Sequence, residues 1–203
     1  MDQKTKSYQH HLKDTIGVMG GASPQEIEPC VARKAEEVGR EIARQGYVLI
    51  TGATTGYPFY ACKGAQEMGG LSVGISPAKN LYEHLERYKL PAGYLDVIIY
   101  TAAGFNARNA TNISSSNAII TIGGRAGTLN EFTAAYDTGK IIGILKGTGG
   151  ISEGIGDILK HCEKKNSTAI VIQDTNPVRL VRRVVQEMQK RDRNPVDFDQ
   201  TVL

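Results

Sequence analysis

The segment AIITIGGRAGTLNE, residues 118–131, decides the fold class of this chain. It begins with an apolar run over residues 118–122, continues through a glycine-rich turn, and ends in TLNE, which predicts the start of a helix. A strand that is almost continuously apolar is typical of a parallel sheet covered by helices on both faces. The segment therefore predicts an α/β protein.

The same order of strand, turn and helix recurs along the chain. Seven short apolar runs alternate with helical stretches, at residues 15–19, 47–51, 71–76, 96–101, 118–122, 140–145 and 169–173. Strands that alternate with helices form right-handed βαβ units and build an open, twisted sheet. We therefore predict a doubly wound, mostly parallel, Rossmann-like sheet of about seven strands, whose ligands bind beyond the carboxyl ends of the strands.

Two helix starts are marked by a capping residue followed by proline. Ser23-Pro24 is followed by Glu26, which completes a capping box, and Asn176 precedes Pro177. Each start leads into an apolar stripe with helical spacing, which predicts packing on the sheet. The stripes are Ile27, Val31, Ala35, Val38 and Ile42 in the first helix, and Leu180, Val181, Val184, Val185 and Met188 in the second.

The length of the chain indicates how many domains it forms. At 203 residues, one core is expected. We predict a polar N-terminal tail over residues 1–14, a single Rossmann-like nucleotide-binding domain over 15–192 and a C-terminal tail over 193–203. The longer connection 77–94 is interpreted as a lid or a partner surface.

Composition argues against several classes of protein. The net charge is only +3, and the basic residues alternate with glutamates, so no nucleic-acid partner is expected. No apolar run approaches the roughly 18 residues of a membrane span, which favours a cytoplasmic protein with no membrane partner. The three cysteines, Cys30, Cys62 and Cys162, form no CxxC pair. They predict neither a disulfide nor a metal site, and each is expected in the core.

Three strand ends pass into small residues, at 20–23, 52–56 and 123–128. Glycine lets the main chain approach a ligand closely, and the start of a helix offers unpaired N–H groups to an anion. The alternative is that tight turns need glycine in any α/β protein. The predicted phosphate- or nucleotide-binding residues in these turns are Gly21, Ala22, Ser23, Gly52, Thr54, Thr55, Gly56, Gly124, Arg125, Ala126, Gly127 and Thr128.

Other nucleotide motifs fit poorly. The chain has no GxxxxGK[ST], and the first turn is not GxGxxG. The second strand ends in Thr51-Gly52, where a dehydrogenase places an acidic residue for the ribose. We therefore expect neither a P-loop enzyme nor a dinucleotide cofactor, and no cofactor is predicted.

Residues 104–116, GFNARNATNISSS, are unusual for a packing helix. Asn, Ser and Thr are poor helix formers, and only Ala107, Ala110 and Ile113 are apolar at positions suited to a core. A helix opening near Asn106 would offer hydrogen bonds to a ligand from Asn106, Arg108, Asn109 and Asn112. The alternative is a polar surface helix with a solvated arginine.

Glu131 has two interpretations. In Thr128-Leu129-Asn130-Glu131 it fits a capping box, in which its carboxylate folds back on the helix start. A carboxylate beside a glycine turn is also placed to bind a ribose hydroxyl, or to assist the departure of a base from a sugar. These two roles are compatible.

With these residues in place, the chain resembles the Lonely Guy (LOG) family and its relatives, often mislabelled lysine decarboxylases. The family's motifs MHxRK and PGGxGTxxE correspond to FNARN, residues 105–109, and GGRAGTLNE, residues 123–131. Arg108 lies fifteen residues before Gly123, the spacing expected for the family. Asn106, Asn109, Gly123 and Arg125 replace the family's His, Lys, Pro and second Gly.

The resemblance implies a function. LOG enzymes cleave nucleoside 5′-monophosphates into a free base and ribose 5-phosphate, with the motif Arg and Glu at the reacting centre. It makes Arg108 and Glu131 the candidate catalytic residues, Asn109 a candidate ligand contact, and a nucleoside monophosphate or related phosphorylated molecule the ligand. Because some relatives, including molybdenum cofactor carrier proteins, bind a ligand without cleaving it, a non-catalytic carrier or sensor is the alternative. The family further implies a homodimer or higher homo-oligomer.

Overall fold

The structure is a computed structural model and describes residues 12–162 and 167–193. The N-terminal tail predicted over residues 1–14 lies outside the described residues except for its last three positions. The C-terminal tail predicted over 193–203 likewise lies outside them after residue 193.

A seven-stranded sheet forms the centre of the molecule, in the order β4-β3-β2-β1-β5-β6-β7. Every pairing between neighbouring strands is parallel, so the predicted doubly wound α/β class is confirmed. The strands are β1 (Thr15–Gly20), β2 (Val48–Thr51), β3 (Ser72–Ser76), β4 (Val97–Tyr100), β5 (Ala118–Ile122), β6 (Ile141–Leu145) and β7 (Ile170–Asp174).

Six α-helices flank the sheet in the described part of the chain. They are α1 (Pro29–Arg44), α2 (Tyr57–Glu67), α3 (Gly104–Ser114), α4 (Ala126–Asp137), α5 (Ile151–Cys162) and α6 (Pro177–Arg193). Helices α1, α2 and α6 contact one another or the sheet on one side, while α3, α4 and α5 form the other layer. Each layer of helices packs on one face of the sheet and forms one hydrophobic core with it.

Alternation along the strands divides the apolar residues between these two cores. In β5, Ile120 and Ile122 pack with the layer of α1, α2 and α6, whereas Ile119 packs with the opposite layer. Helix α6 begins as predicted, because Asn176 Oδ1 accepts a hydrogen bond from the Arg179 N–H at 2.9 Å. Its predicted stripe from Leu180 to Met188 is buried, so this packing prediction is confirmed.

The first predicted helix start is wrong. Residues Pro24–Glu26 form only a 3-10 turn, and α1 begins at Pro29. A second proline explains the delay, because the residue before a proline is disfavoured in the helical region, and Glu28 is extended with φ −84° and ψ 125°. The stripe Val31, Ala35, Val38 and Ile42 is nevertheless buried.

The cysteine prediction holds at one position of three. Cys62 is buried in α2, where burial raises the pKa of its thiol to about 12. Cys30 and Cys162 are exposed, so placing them in the core was wrong. Both residues lie on amphipathic helices, α1 and α5. A side chain as small as that of cysteine can lie on either the buried or the exposed face of such a helix.

The connection 77–94 contains a π-helical segment, Glu83–Arg87, and is anchored by a buried histidine. One ring nitrogen of His84 lies 2.9 Å from Ser76 Oγ at the end of β3, and the other lies 3.2 Å from the Pro91 carbonyl oxygen. The connection also exposes Leu81 and Tyr82. The interpretation of this connection as a lid or a partner surface stays a prediction.

The strand order reverses between β1 and β5, which are neighbours in the sheet although their following helices lie on opposite faces. A crevice forms at such a point beyond the carboxyl ends of the strands. None of the described helices is long and apolar enough to cross a membrane.

Candidate functional site

The glycine turns after β1, β2 and β5 line one cavity of about 520 Å³ at this crevice. Twelve of the fifteen predicted site residues line it. They are Gly21, Ala22, Ser23, Gly52, Thr54, Arg108, Asn109, Gly124, Arg125, Gly127, Thr128 and Glu131. The tertiary structure thus brings together segments that are more than a hundred residues apart in the chain.

Three predicted residues lie behind the cavity wall. The Thr55 hydroxyl donates a hydrogen bond to the Ala22 carbonyl, and Gly56 caps α2 with φ +81°. Ala126 is the first residue of α4. These residues shape the turns and do not line the cavity.

Helix α3 buries its polar side, contrary to the predicted packing. Arg108, Asn109 and Asn112 are buried, whereas Ala107 and Ala110 are exposed; only Ile113 lies in the core as expected. The surface-helix alternative with a solvated arginine is therefore wrong. A helix turns polar groups inward only where they have partners there or serve a ligand.

Arg108 is the most unusual side chain of the cavity, because it is only 4% exposed and its Nε is buried without a hydrogen-bond partner among the described residues. Its charged neighbour is Glu131, with Nη1 lying 3.7 Å from Oε1. Burial lowers the pKa of the guanidinium, and the Glu131 charge opposes that shift. A buried charge without hydrogen bonds is costly unless a ligand compensates it.

Glu131 faces Arg108 and does not cap its helix. Helix α4 begins at Ala126, so Glu131 lies in its second turn, and the capping-box interpretation is wrong. Its Oε1 accepts a long hydrogen bond of 3.5 Å from Asn112 Nδ2. Burial raises the pKa of the Glu131 carboxyl to about 7, although the Arg108 charge lowers it.

Sequence reasoning missed a fourth glycine turn, after β6. Thr148, Gly149 and Gly150 line the cavity, and the Ile151 N–H donates to the Gly124 carbonyl at 2.8 Å. The Thr148 hydroxyl accepts a hydrogen bond from the Gly123 N–H at 2.9 Å. The run Gly147-Thr148-Gly149-Gly150 directly after an apolar strand was the available signal.

Tyr57 also lines the cavity and was not predicted. Its N–H donates to the Gly21 carbonyl at 2.9 Å, and its hydroxyl accepts from the Glu28 N–H at 3.4 Å. A Cβ added to Gly21 or Gly123 would lie 3.2 or 3.1 Å from the Tyr57 ring. The ring therefore packs between the first and third turns, a contact that no local pattern indicates.

The site offers amide N–H groups, an arginine and a carboxyl group whose pKa lies near neutrality. Amides at helix starts and a buried guanidinium bind phosphate oxygens well. Among the described residues, no cluster of three or more His, Cys, Asp or Glu side chains is suited to a metal ion. Such groups are chemically suited to binding an anionic small molecule.

The structure is thus that of a Rossmann-type α/β protein with a cavity at the switch point of its sheet. The chain matches the SLOG cluster4 family over residues 13–181, most of its length, and belongs to that family. The fold resembles that of LOG-like proteins, in agreement with the motifs in residues 105–109 and 123–131.

Individual relatives agree with this assignment. An uncharacterized protein from Archaeoglobus fulgidus is 37% identical over 131 residues, which cover 64% of this chain and 79% of the relative. The crystal structure of TM1055 is 25% identical, with a TM-score of 0.75 over 86% of this chain and 99% of its own. The molybdenum cofactor binding protein from Rippkaea orientalis is 29% identical, with a TM-score of 0.68 over 88% and 99%.

Proposed function

We propose that this chain is a cytoplasmic nucleotide-binding protein whose domain, residues 15–192, cleaves the N-glycosidic bond of a nucleoside 5′-monophosphate to free base and ribose 5-phosphate. The observation that carries the proposal is the buried Arg108, whose Nε has no hydrogen-bond partner among the described residues and whose Nη1 lies 3.7 Å from Glu131 Oε1. An anionic ligand would compensate this charge.

The glycine turns provide the proposed phosphate site. The turn after β5 leads into α4 at Ala126, and Gly124, Gly127 and Thr128 line the cavity at the positive end of the helix dipole. Arg125 would add a cation there. Residues 21–23 and 52–56 form the neighbouring walls, with Asn109 held by its hydrogen bond to Asn130 Oδ1 at 3.2 Å.

Arg108 and Glu131 divide the chemistry between them. Arg108 orients the ligand through charge-assisted hydrogen bonds, for which its planar group suits phosphate or hydroxyl oxygens. Cleavage of an N-glycosidic bond develops positive charge on the sugar, and a fixed carboxylate beside it stabilises that charge. Water attacks the anomeric carbon from the cavity.

The proposal is tested by incubating the protein with AMP and other nucleoside monophosphates and measuring free base and ribose 5-phosphate. We expect turnover by the wild type and none above background by Glu131→Gln. Equal release of base by both proteins, or none by either, would contradict it.

The second candidate is a carrier or sensor that holds a nucleotide or a molybdenum-cofactor-type ligand without changing it. It is favoured by the similarity over 88% of this chain to the protein from Rippkaea orientalis whose name states that it binds molybdenum cofactor. A ligand that co-purifies chemically intact, identified by mass spectrometry, would support this role. Steady cleavage of several nucleotides would contradict the carrier or sensor role.

An exposed apolar surface supports the proposed homodimer. Edge strand β4 exposes Val97 and Ile99, and Phe105 on neighbouring α3 is 46% exposed. Because α3 also carries Arg108, a second copy on this surface would fix the helix that bears the site. We expect the wild type to sediment as a dimer and Ile99→Asp as a monomer, while Met68→Asp, at an exposed position after α2, stays dimeric. A monomeric wild type overturns this part of the proposal.

A further inference from the structure

Asn112 is a buried amide whose hydrogen bonds are only half satisfied. The residue is fully buried, its Nδ2 lies 3.5 Å from Glu131 Oε1, and its Oδ1 has no hydrogen-bond partner among the described residues. The other neighbour of Nδ2 is the Met19 sulfur at 3.2 Å, a weak acceptor. A buried acceptor without a donor costs about 1–3 kcal/mol, so Asn112 Oδ1 calls for a proton donor.

Protonated Glu131 is the nearby group that can supply such a donor. An ionised carboxylate only accepts hydrogen bonds, whereas a carboxylic acid also donates one through its O–H. The amide of Asn112 has nearly the same shape when turned over, which exchanges Nδ2 and Oδ1. In that orientation Oδ1 faces the Glu131 carboxyl.

We propose that Asn112 is the positioning residue for the proton of Glu131, donating from Nδ2 to the ionised carboxylate and accepting at Oδ1 from the protonated acid. The inference rests on the proposed hydrolysis for its catalytic meaning, but its geometry is independent of any ligand. Asn112 would thereby hold Glu131 in the same place in both protonation states.

The charged surroundings of Glu131 agree with a proton held there. Of the described charged side chains, Arg108 on α3 lies 3.7 Å from Glu131, and strand β1 presents the uncharged Met19. Arg125 at the start of α4 and Glu28 before α1 line the same cavity. Burial raises the pKa of the Glu131 carboxyl to about 7, so both states are populated near neutral pH.

The protons balance over the proposed reaction. As the C–N bond breaks, its electron pair leaves with the base, and protonated Glu131 transfers its proton to the base. This transfer leaves a Glu131 carboxylate beside the positive charge that develops on the sugar. The Asn112 amide then turns so that Nδ2 donates to the new carboxylate. The attacking water forms the C–O bond and returns one proton to Glu131, so enzyme and solvent gain none.

Infrared difference spectra recorded across a pH titration test the inference without turnover. Loss of the acid C=O band in Glu131→Gln assigns that band. We expect Asn112→Leu to move the band to higher frequency, because the O–H of the acid then has no acceptor. Ile113→Val, a buried apolar neighbour on the same helix, serves as the control and should leave the band in place.

A second variant and a second readout keep the test decisive. Asn112→Met replaces the amide by a flexible apolar chain and should shift the band as Asn112→Leu does. In the wild type, the NMR signals of the Asn112 side-chain amide should titrate with the midpoint of the Glu131 band and stay fixed in Glu131→Gln. The inference is overturned if the acid C=O band keeps its frequency in the Asn112 variants. It is also overturned if the Asn112 amide signals do not change as Glu131 titrates.

Activity then separates this inference from the function on which it rests. If nucleotides are cleaved, Asn112→Leu should lower kcat by about 10-fold with little change in KM, since Asn112 acts through Glu131. If no nucleotide is cleaved, the hydrolase proposal fails while the infrared result still decides the role of Asn112.

Discussion

The guanidinium of Arg108 lies directly against the main chain of Gly52, so that a Cβ added to Gly52 would lie 2.0 Å from Nη1 and 2.6 Å from Cζ. The end of β2 thus sets the position of the arginine supplied by α3. Glycine at this position leaves the space that the buried charge occupies.

Gly52→Ala should therefore displace Arg108 while leaving the fold intact, because the obstructing atoms belong to a flexible side chain. We expect affinity for AMP, measured by calorimetry, to fall by about 10- to 100-fold. Gly154→Ala in α5 is the control, since its Cβ would meet nothing closer than 3.9 Å. It should raise the free energy of unfolding by about 0.5–1 kcal/mol and leave binding unchanged. Undiminished affinity in Gly52→Ala would mean that Arg108 does not position the ligand.

Arg108→Met should separate stability from ligand binding. Removing a buried charge whose Nε has no hydrogen-bond partner among the described residues relieves its desolvation, and Glu131, without its cation, stays protonated and neutral. We expect the free energy of unfolding of the ligand-free protein, from urea titration, to be unchanged or about 1 kcal/mol higher. Stabilisation by added AMP should be lost.

The matched comparison for Arg108→Met is Arg179→Met, which removes the cation paired with Asp174 at 2.6 Å and should destabilise the protein. A loss in Arg108→Met as large as that in Arg179→Met would show that Arg108 stabilises the fold and is not held for a ligand.

The turn after β6 should tolerate a side chain at Gly149 but not at Gly150. Both have positive φ, +72° and +57°, so alanine at either position costs about 1 kcal/mol of backbone strain. At Gly150 the Cβ would also lie 2.2 Å from the Gly124 carbonyl oxygen, whereas at Gly149 it would meet nothing within 4 Å. Thermal unfolding should show a clearly larger loss for Gly150→Ala, with weaker AMP binding. Equal losses would contradict the packing of this turn on the β5 turn.

Asp174 should give the protein an acid-dependent part of its stability. Its carboxylate is paired through both oxygens with Arg179 at 2.6 Å and accepts the Asn176 N–H at 2.9 Å, which together hold its pKa below the ordinary value of 3.8. A lowered pKa stabilises the fold above the ordinary value, and this contribution is lost as pH falls below it.

Asp174→Asn should accordingly lower the free energy of unfolding by about 1–3 kcal/mol at neutral pH. The difference from wild type should stay constant down to about pH 5 and shrink below about pH 4, as urea titrations at several pH values would measure. Asp157→Asn, at an exposed pair with Lys160, should be unchanged throughout. A difference that persists at low pH would exclude ionisation of Asp174 as its cause.

The fold was predictable because its signals are local. Continuous apolar runs such as Ala118–Ile122 indicate strands covered on both faces, and the Asn176-Pro177 start of α6 rests on neighbouring residues. The start of α1 was missed because two prolines compete, and Pro29 prevents a helix from beginning at Pro24. The order of such elements constrains the sheet, since parallel strands require right-handed crossovers.

The candidate site was predictable in part. Sequence motifs predicted the turns at 21–23, 52–56 and 123–128 and the pair Arg108 and Glu131. They did not predict that Glu131 lies in the second turn of α4, where it does not cap the helix. A capping box and a buried ion contact share the same residue types, and only the true helix start distinguishes them. Tyr57 could not be found, because its contacts join turns that lie far apart in the chain.

The sequence by itself determined the alternation of strands and helices, the glycine turns at the strand ends and the identity of the two charged residues, since each depends on residues within one or two turns of chain. Tertiary structure alone decided that α3 turns Arg108 and Asn112 inward, that Gly52 leaves space for a guanidinium, and that burial raises the pKa of Glu131 to about 7. Burial and through-space contacts arise only when distant segments pack together, so they cannot be read from local pattern.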